Sequence, residues 1–527
     1  MHQKHTIQTI LNDKPHLRPY LFRYGFVLTD GVLSPSGYPF YDRWTALSLP
    51  GLQGLIHPDQ TFFRADHEDI TCFLIGHAYD PFSMEFREEA LLERLVCADS
   101  TQRSRLIDQL TGVFTLGLID GGKLQILCDC AGMQSCYYGT IEGHRYITSH
   151  MQLVGDLCDL EQSDYVRRLT GYRFYRYYGA FLPGDLSAYR ELRRLVPNTR
   201  ATFHSGAWSI ERFYPHTPIQ PVKDEAEYRQ TISQIAGILN RTMELIAQKW
   251  QAPAISMTGG MDSKATLAAA HGCYDRFRYF SYVSMPGEKP DADAAHRIAA
   301  ALGIDHRIDL ISDHDEDFSD IAEIAALLRH NFGNIGTINT NDVRKRAYYA
   351  QDQNRNFDVE VKSWVSEIGR ANYYKKFGLR RMSRHLTPRQ MTSMYKLFLH
   401  DRTLVRQTDA VFADYIHRTD FRRDMGLDES DLFLWEIRYG SWGGQVITCE
   451  HKFSFDITIP YNNRILLELF LTTPLERRIS DQVHYDLIRE LEPIIDGTGI
   501  TIVNHNETKA RMYQEKLYFL IHSILPF

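Results

Sequence analysis

No apolar run in this 527-residue chain approaches the ~20 residues that a bilayer-spanning helix needs. The opening residues, Met1 to Thr6, carry no apolar stretch of the kind an export signal requires. Cysteine is scarce and scattered, with 8 residues in the whole chain. These absences lead us to expect a cytoplasmic protein with reduced thiols and no membrane partner. Only Cys128, Cys130 and Cys136 cluster, and neither a histidine nor a fourth cysteine stands nearby at zinc-site spacing. Cys128 ends the apolar run Leu124–Leu127, where a small buried thiol is common, so packing is the expected role. Charge of one sign is also lacking. Lys and Arg number 59 against 66 Asp and Glu, a net charge of −7 that makes no general case for nucleic-acid binding. No internal repeat, no low-complexity tract and no Walker G-x-x-x-x-G-K-[ST] spacing is found.

What is present is ordinary globular composition, 43% hydrophobic and 24% charged, in a chain too long for one core. The first ~210 residues read as strand-rich, with helices between. Strands are predicted at 72–85, 113–119, 124–127, 136–139 and 146–149, broken by the turn signals Asp120-Gly121-Gly122 and Glu142-Gly143. A helix is expected over 88–96 and a closing hairpin around Ser205-Gly206. Residues 214–224, rich in proline, make the best linker. Beyond it the pattern alternates helix (225–248), strand (253–257), helix (263–271), strand (278–284), helix (291–302) and strand (306–310). That alternation predicts a doubly wound parallel sheet, and the remainder from about 315 reads as mostly helical.

The stretch from Ala254 to Lys264 is the most informative. An apolar strand ends in Thr258-Gly259-Gly260 and a helix begins at once. Unpaired N–H groups at a helix start make an anion site, and the glycines let the backbone close around a phosphate. Thr258 and Ser263 add hydroxyls. Asp262 is out of place in such a loop unless a Mg²⁺ lies between it and the phosphate. The basic, aromatic run from Tyr373 to His385 reads as a solvated helix face or, less readily, as a surface for an anionic polymer.

The loop resembles the PP-loop, S-G-G-x-D-S, of ATP pyrophosphatases, with Thr258 for the first serine. With it, the chain resembles the asparagine synthetase B family over most of its length. Leu110–Asp120 is similar to that family's G-x-F-A-F-x-L-x-D strand, Asp129–Tyr138 to its R-D-x-x-G-x-K-P-L-Y-Y segment, Thr148-Ser149 to its F-A-S-E strand and Leu195–Asn198 to its L-x-P-G turn. Further on, Phe280–Gly287, Pro290–His306 and Ile459–Arg464 match later motifs in the right order. The resemblance implies an α/β protein: an N-terminal Ntn-like αββα sandwich over 1–213, a linker at 214–224, and a PP-loop synthetase domain over 225–527 with a helical C-terminal portion.

Two departures stand out. The family's glutaminase nucleophile is a cysteine at position 2, where this chain has His2, and no cysteine precedes Cys72. Gly76–Asp80 also lacks the glutamate of the family's G-E-I-Y-N stretch. Without a thiolate nothing attacks glutamine, so this half is expected to be a structural remnant. In the second half, the family's acidic S-G-x-G-x-D-E segment corresponds to Lys362–Tyr373: Glu367 and Gly369 are kept, Ser366 and Ser363 replace carboxylates, and Lys362 and Arg370 are added.

The resemblance implies ATP with Mg²⁺ as cofactors. Ser256, Thr258, Gly259, Gly260, Met261, Asp262, Ser263 and Val283 are the expected nucleotide contacts, and Asp262 with Glu367 the expected metal ligands. Asp262, Glu367, Arg370, His484 and Lys509 are the catalytic candidates, the last two as cations for the leaving phosphate. Arg370 or Lys362 is an alternative grip on the acid substrate, and Arg438–Gly444 is a further candidate, read first as a packed helix end. The implied activity is an AMP-forming amide ligase that adenylates a small-molecule, glycan or peptide carboxylate and passes it to an amine or ammonia. Ammonia-dependent asparagine synthesis, a non-catalytic nucleotide-binding protein and, against the net charge, a tRNA-modifying enzyme remain as alternatives. A homodimer is allowed.

Overall fold

Alternating burial and tight turns build the first part of the chain. In the computed structural model, which describes residues 2–176, 179–336, 338–351, 355–395, 400–500 and 508–524, twelve strands precede residue 213. They are β1 (Phe26–Thr29), β2 (Thr45–Leu49), β3 (Leu52–Ile56), β4 (Phe62–His67), β5 (Ile70–Tyr79), β6 (Thr111–Asp120), β7 (Lys123–Cys128), β8 (Tyr137–Ile141), β9 (His144–Thr148), β10 (Leu192–Arg194), β11 (Thr199–His204) and β12 (Ala207–Arg212). They form two six-stranded sheets, ordered β10-β8-β9-β1-β3-β2 and β12-β11-β7-β6-β5-β4. The two-residue period of a strand sorts the side chains. Phe26 and Leu28 of β1 meet Phe73 and Ile75 of β5 and Ile126 of β7 in a core between the sheets. Val27, Cys72 and Leu74 face outward into the larger core. The Glu88–Cys97 helix covers β4 and β5, and the Met151–Leu157 helix packs on β9, giving four layers from helix to helix. The predicted turns are where they should be: Gly121 and Gly122 both adopt positive φ between β6 and β7, which glycine permits without strain.

The strand predicted over 72–85 ends at Tyr79, and the first four strands went unpredicted. A helix, His2–Asp13, and a short turn precede the sandwich, so the residues at the head of its first strand are Tyr24 and Gly25 rather than His2. No thiol stands there either. Cys128 and Cys136 point into the core between the sheets while Cys130 points into the other, so the three do not converge on one ion.

The rest of the chain is built on a parallel sheet of five strands: β13 (Pro253–Ser256), β14 (Arg278–Val283), β15 (Arg307–Leu310), β16 (Val359–Val361) and β17 (Asp456–Thr458). Their order is β15-β14-β13-β16-β17, and all four pairings are parallel. The chain winds outward from β13 through β14 and β15, then crosses to the other side, so the switch point lies between β13 and β16. Ligands of such sheets bind outside the carboxyl ends of the strands at that point. The portion beyond about residue 315 is mostly helical, as expected, and adds the two three-residue strands β16 and β17.

The Glu225–Lys249 helix leads into this sheet, and its start is read directly from sequence. Asp224 accepts from Glu227 N at 2.9 Å, and the Glu227 side chain accepts from Lys223 N at 2.7 Å. Asp224→Ala should cost about 1 kcal/mol, read as a lower urea midpoint with unchanged slope. The preceding proline-rich stretch is tied down: Ile219 N donates to Met425 O at 2.8 Å and Val222 N to Thr472 O at 3.0 Å.

The two parts of the chain share one continuous core. Their seam is polar and buried. Asn462 bridges Asp129 and Gly112 O, and Arg464 Nη2 donates to Cys128 O at 3.0 Å. On the facing side, residues Phe433–Gly443 and Val446–Glu450 are wound as π-helix, a rare form concentrated at functional sites. Arg194 forks onto two of its carbonyls, Glu436 O at 3.1 Å and Gly440 O at 2.9 Å. Gly444 is obligatory: a Cβ there would lie 2.2 Å from the Gly132 carbonyl. Among the described residues, no helix is long and apolar enough to cross a membrane.

Candidate functional site

The predicted strand–Gly-Gly–helix junction is present, with β13 ending at Ser256 and a helix running Met261–Ala269. Gly260 caps that helix without a side-chain hydrogen bond. The loop braces itself internally. Thr258 N donates to Ser263 Oγ at 2.9 Å and Gly260 N to Thr258 Oγ1 at 3.2 Å. Thr258 and Gly260 therefore spend two of the N–H groups expected for a phosphate. Ser256 ends β13 near the Glu360 carboxylate and favours its ionised form, and Val283, at the end of β14, accepts from Ile311 N at 2.9 Å.

Asp262 is the hub. Its Oδ2 receives Arg370 Nη1 at 2.5 Å, its Oδ1 receives Ser366 Oγ, and His484 Nε2 lies 3.8 Å from Oδ1. Arg370 also binds Asp481 through Nε at 2.7 Å, and Lys375 pairs with the same oxygen. Beside this hub Glu367 accepts from Tyr439 Oη at 2.5 Å. Burial, then the charge on Asp262, push the Glu367 carboxyl up to about 7. Such a group is half-ionised near neutrality, the condition a general base needs.

Three expectations change here. A Mg²⁺ held by Asp262 and Glu367 does not fit these donors, because Arg370 and Ser366 already engage both oxygens of Asp262 and Glu367 is bound to Tyr439. The Arg370 guanidinium supplies the positive charge that the ion was invoked for. His484 is no cation: it is fully buried and stacked on Phe470, and burial takes its pKa down to about 4, leaving a neutral ring. Lys509 is exposed at the start of the Lys509–Ile524 helix, which packs on the Asn372–Phe377 and Pro388–Tyr395 helices, and it makes no described contact with the hub. Arg370, proposed for the acid substrate, is instead committed to Asp262 and Asp481.

A second buried cluster flanks the first at the end of β16. Lys362 Nζ lies 3.3 Å from Glu360 Oε1, and His451 Nδ1 lies 3.9 Å from Glu360 Oε2. Trp364 stacks on Trp442, whose other neighbour is Arg438 at 5.0 Å. Arg438 to Gly444, read first as a packed helix end, is thus the end of the π-helix Phe433–Gly443, which brings Tyr439 and Trp442 to the loop after β16. The basic run after Tyr373 is tied to the protein's own carboxylates, with Lys375 on Asp481, Arg384 on Asp424 and His385 on Glu429.

Glu360, Arg346, Glu450 and His451 were not singled out by sequence, and Tyr439 was named only as part of Arg438–Gly444. Tyr439 stands 72 residues from its partner Glu367, beyond the reach of any local pattern. A cleft of about 520 Å³ also opens at the opposite, amino ends of β14 and β15, lined by Tyr274, Arg278, Arg307 and Phe357. It is remote from the loop.

No family model and no curated protein matches the chain. Solved structures do. Glutamine phosphoribosylpyrophosphate (PRPP) amidotransferase from B. subtilis, complexed with ADP and GMP, is 10% identical, with 76% of each chain covered and a TM-score of 0.23. A structure described as the allosteric regulatory enzyme of purine biosynthesis is 9% identical over 57% of this chain, with a TM-score of 0.24. The match spans 62% of that second chain.

Proposed function

We propose that this chain is an ATP-dependent, AMP-forming amide ligase that works without hydrolysing glutamine. The observation that carries the reading is the meeting of two things at the switch point of a parallel sheet: the strand–Gly-Gly–helix loop, whose helix has no side-chain cap, and the Glu367–Tyr439 pair, whose loop Ser366 and Arg370 tie to Asp262. A substrate carboxylate attacks the α-phosphorus of ATP. The bond to the bridging oxygen breaks, and pyrophosphate leaves toward the first turn of the Met261–Ala269 helix. Arg370 and Lys375 offset the charge that gathers there. An amine then attacks the acyl carbon, Glu367 takes its proton, and AMP departs with the acyl oxygen. The head of β1 carries Tyr24 rather than a thiol, in keeping with a sandwich half that is a degenerate, Ntn-like glutaminase.

A non-catalytic nucleotide-binding protein is the second reading, favoured by the internal bracing of the loop. Exchange of labelled pyrophosphate into ATP across a panel of carboxylic acids, aspartate included, separates the two. The ligase exchanges label with at least one acid and loses the exchange in Asp262→Asn. ATP binding with no exchange for any acid would leave the second reading standing.

A further inference from the structure

Arg346, on the Thr340–Gln351 helix, is 2% exposed, yet its Nε and Nη1 have no hydrogen-bond partner. The guanidinium lies over the Phe455 ring, 5.8 Å from its centroid, a contact that leaves those two donors without an acceptor. The nearby carboxylates are already engaged by lysines: Glu288 lies 2.6 Å and Asp342 3.6 Å from Lys345 Nζ, and Glu360 lies 3.3 Å from Lys362 Nζ. Arg346 acts electrostatically on Lys362, Glu450, His451 and Tyr282. Of these only Glu450 has a carboxylate to offer, and burial pushes its carboxyl up to about 7, so at neutral pH it is only partly charged. His451 is held neutral by burial and by Lys362. The Ser363 hydroxyl, beside Lys362, is likewise buried with no partner. A guanidinium with two bare donors out of water is costly, and its planar fork suits a two-oxygen anion.

We propose that Arg346, with Lys362 and the Ser363 hydroxyl, forms a subsite for a second anionic group of the acid substrate, a carboxylate or a phosphate. The subsite lies at the carboxyl end of β16, next to the loop that carries Glu367, and it rests on the ligase reading. It makes the substrate a dianion: one carboxylate is activated while the other group is gripped. A monocarboxylic acid leaves Arg346 uncompensated and is selected against.

Calorimetric titration of the full-length protein with succinate and, separately, with inorganic phosphate tests this. One of the two binds saturably, and which one it is tells a dicarboxylic from a phosphorylated substrate. Arg346→Gln weakens that binding by roughly 10–100-fold. Ser363→Asp, which sets a carboxylate beside the fork and leaves Arg346 in place, blocks it as well, so the idea survives a folding failure of the first variant. Saturable binding of neither anion, or unchanged affinity in either folded variant, overturns the subsite. ATP binding is read in the same titrations without added anion: its absence sinks the ligase reading, while anion binding at Arg346 is scored independently.

Discussion

Alanine in place of Arg212 lowers stability by about 3–5 kcal/mol, the cost of leaving a buried charge without its partner. Arg212 and Glu436 side chains are 1% and 0% exposed, and they meet through two hydrogen bonds, Nη1 to Oε1 at 2.5 Å and Nη2 to Oε2 at 2.9 Å. Tyr415 Oη and Asn198 Nδ2 complete the shell of Glu436 at 3.1 and 3.2 Å. Neither carries charge, so they cannot replace the guanidinium. Arg212 Nε also donates to Thr419 O at 2.9 Å, a carbonyl that alanine would strand. The measurement is the denaturant midpoint of wild type, Arg212→Ala and Arg212→Ala with Glu436→Gln. The double variant recovers part of the loss, because the stranded charge is gone. A single variant within about 1 kcal/mol of wild type, the range of exposed pairs, would mean that water reaches the pair and the seam is looser than drawn.

Glu367→Gln slows amide formation by about 10²–10⁴-fold, the span of a lost general base, while pyrophosphate exchange persists. The two steps part because adenylation needs no base. The same residue sets the pH dependence. Its carboxyl is pushed up to about 7, so it is protonated and idle below that pH and active above it. The rate of amide formation therefore climbs as pH rises through about 7, and the limb disappears in Glu367→Gln. Tyr439→Phe removes the hydroxyl that favours the ionised carboxylate, so the limb moves to higher pH. Single-turnover amide formation from pH 5.5 to 9, a range chosen to bracket that value by about 1–2 units, checks both variants. A flat wild-type profile would remove Glu367 from the role.

The elements that sequence made legible are those whose signals are local. Gly121-Gly122 and Glu142-Gly143 fix hairpin turns, and the apolar residues of β13 followed by two glycines fix the junction with the Met261–Ala269 helix. β16 and β17 are three residues each, too short for periodicity, and β16 buries Glu360, which reads as a surface residue until His451 and Lys362 are folded against it. The candidate site divides in the same way. Asp262 and Glu367 follow from motif position. Arg370 was named, but its engagement with Asp262 depends on a hydrogen bond across 108 residues, which no spacing rule predicts. His484 was placed near the hub correctly, yet its charge depends on burial, and burial belongs to the fold. The stretch after Arg438, rich in aromatics and glycine, looks like a turn because π-helix has no sequence signature of its own; only the close approach of Gly444 to Gly132 shows why small residues recur there.

The buried seam carries a consequence for the history of such a chain. The residues that grip the π-helix from outside, Arg194 and Arg212, belong to the sandwich, and the helix they grip carries Tyr439. A lineage could let every reactive group in the sandwich decay and still be unable to delete it, because excision would release the turn that orients the other half's chemistry. Selection on the second half would then preserve the first as a vise: sequence would drift freely away from the seam and stay fixed where it clamps.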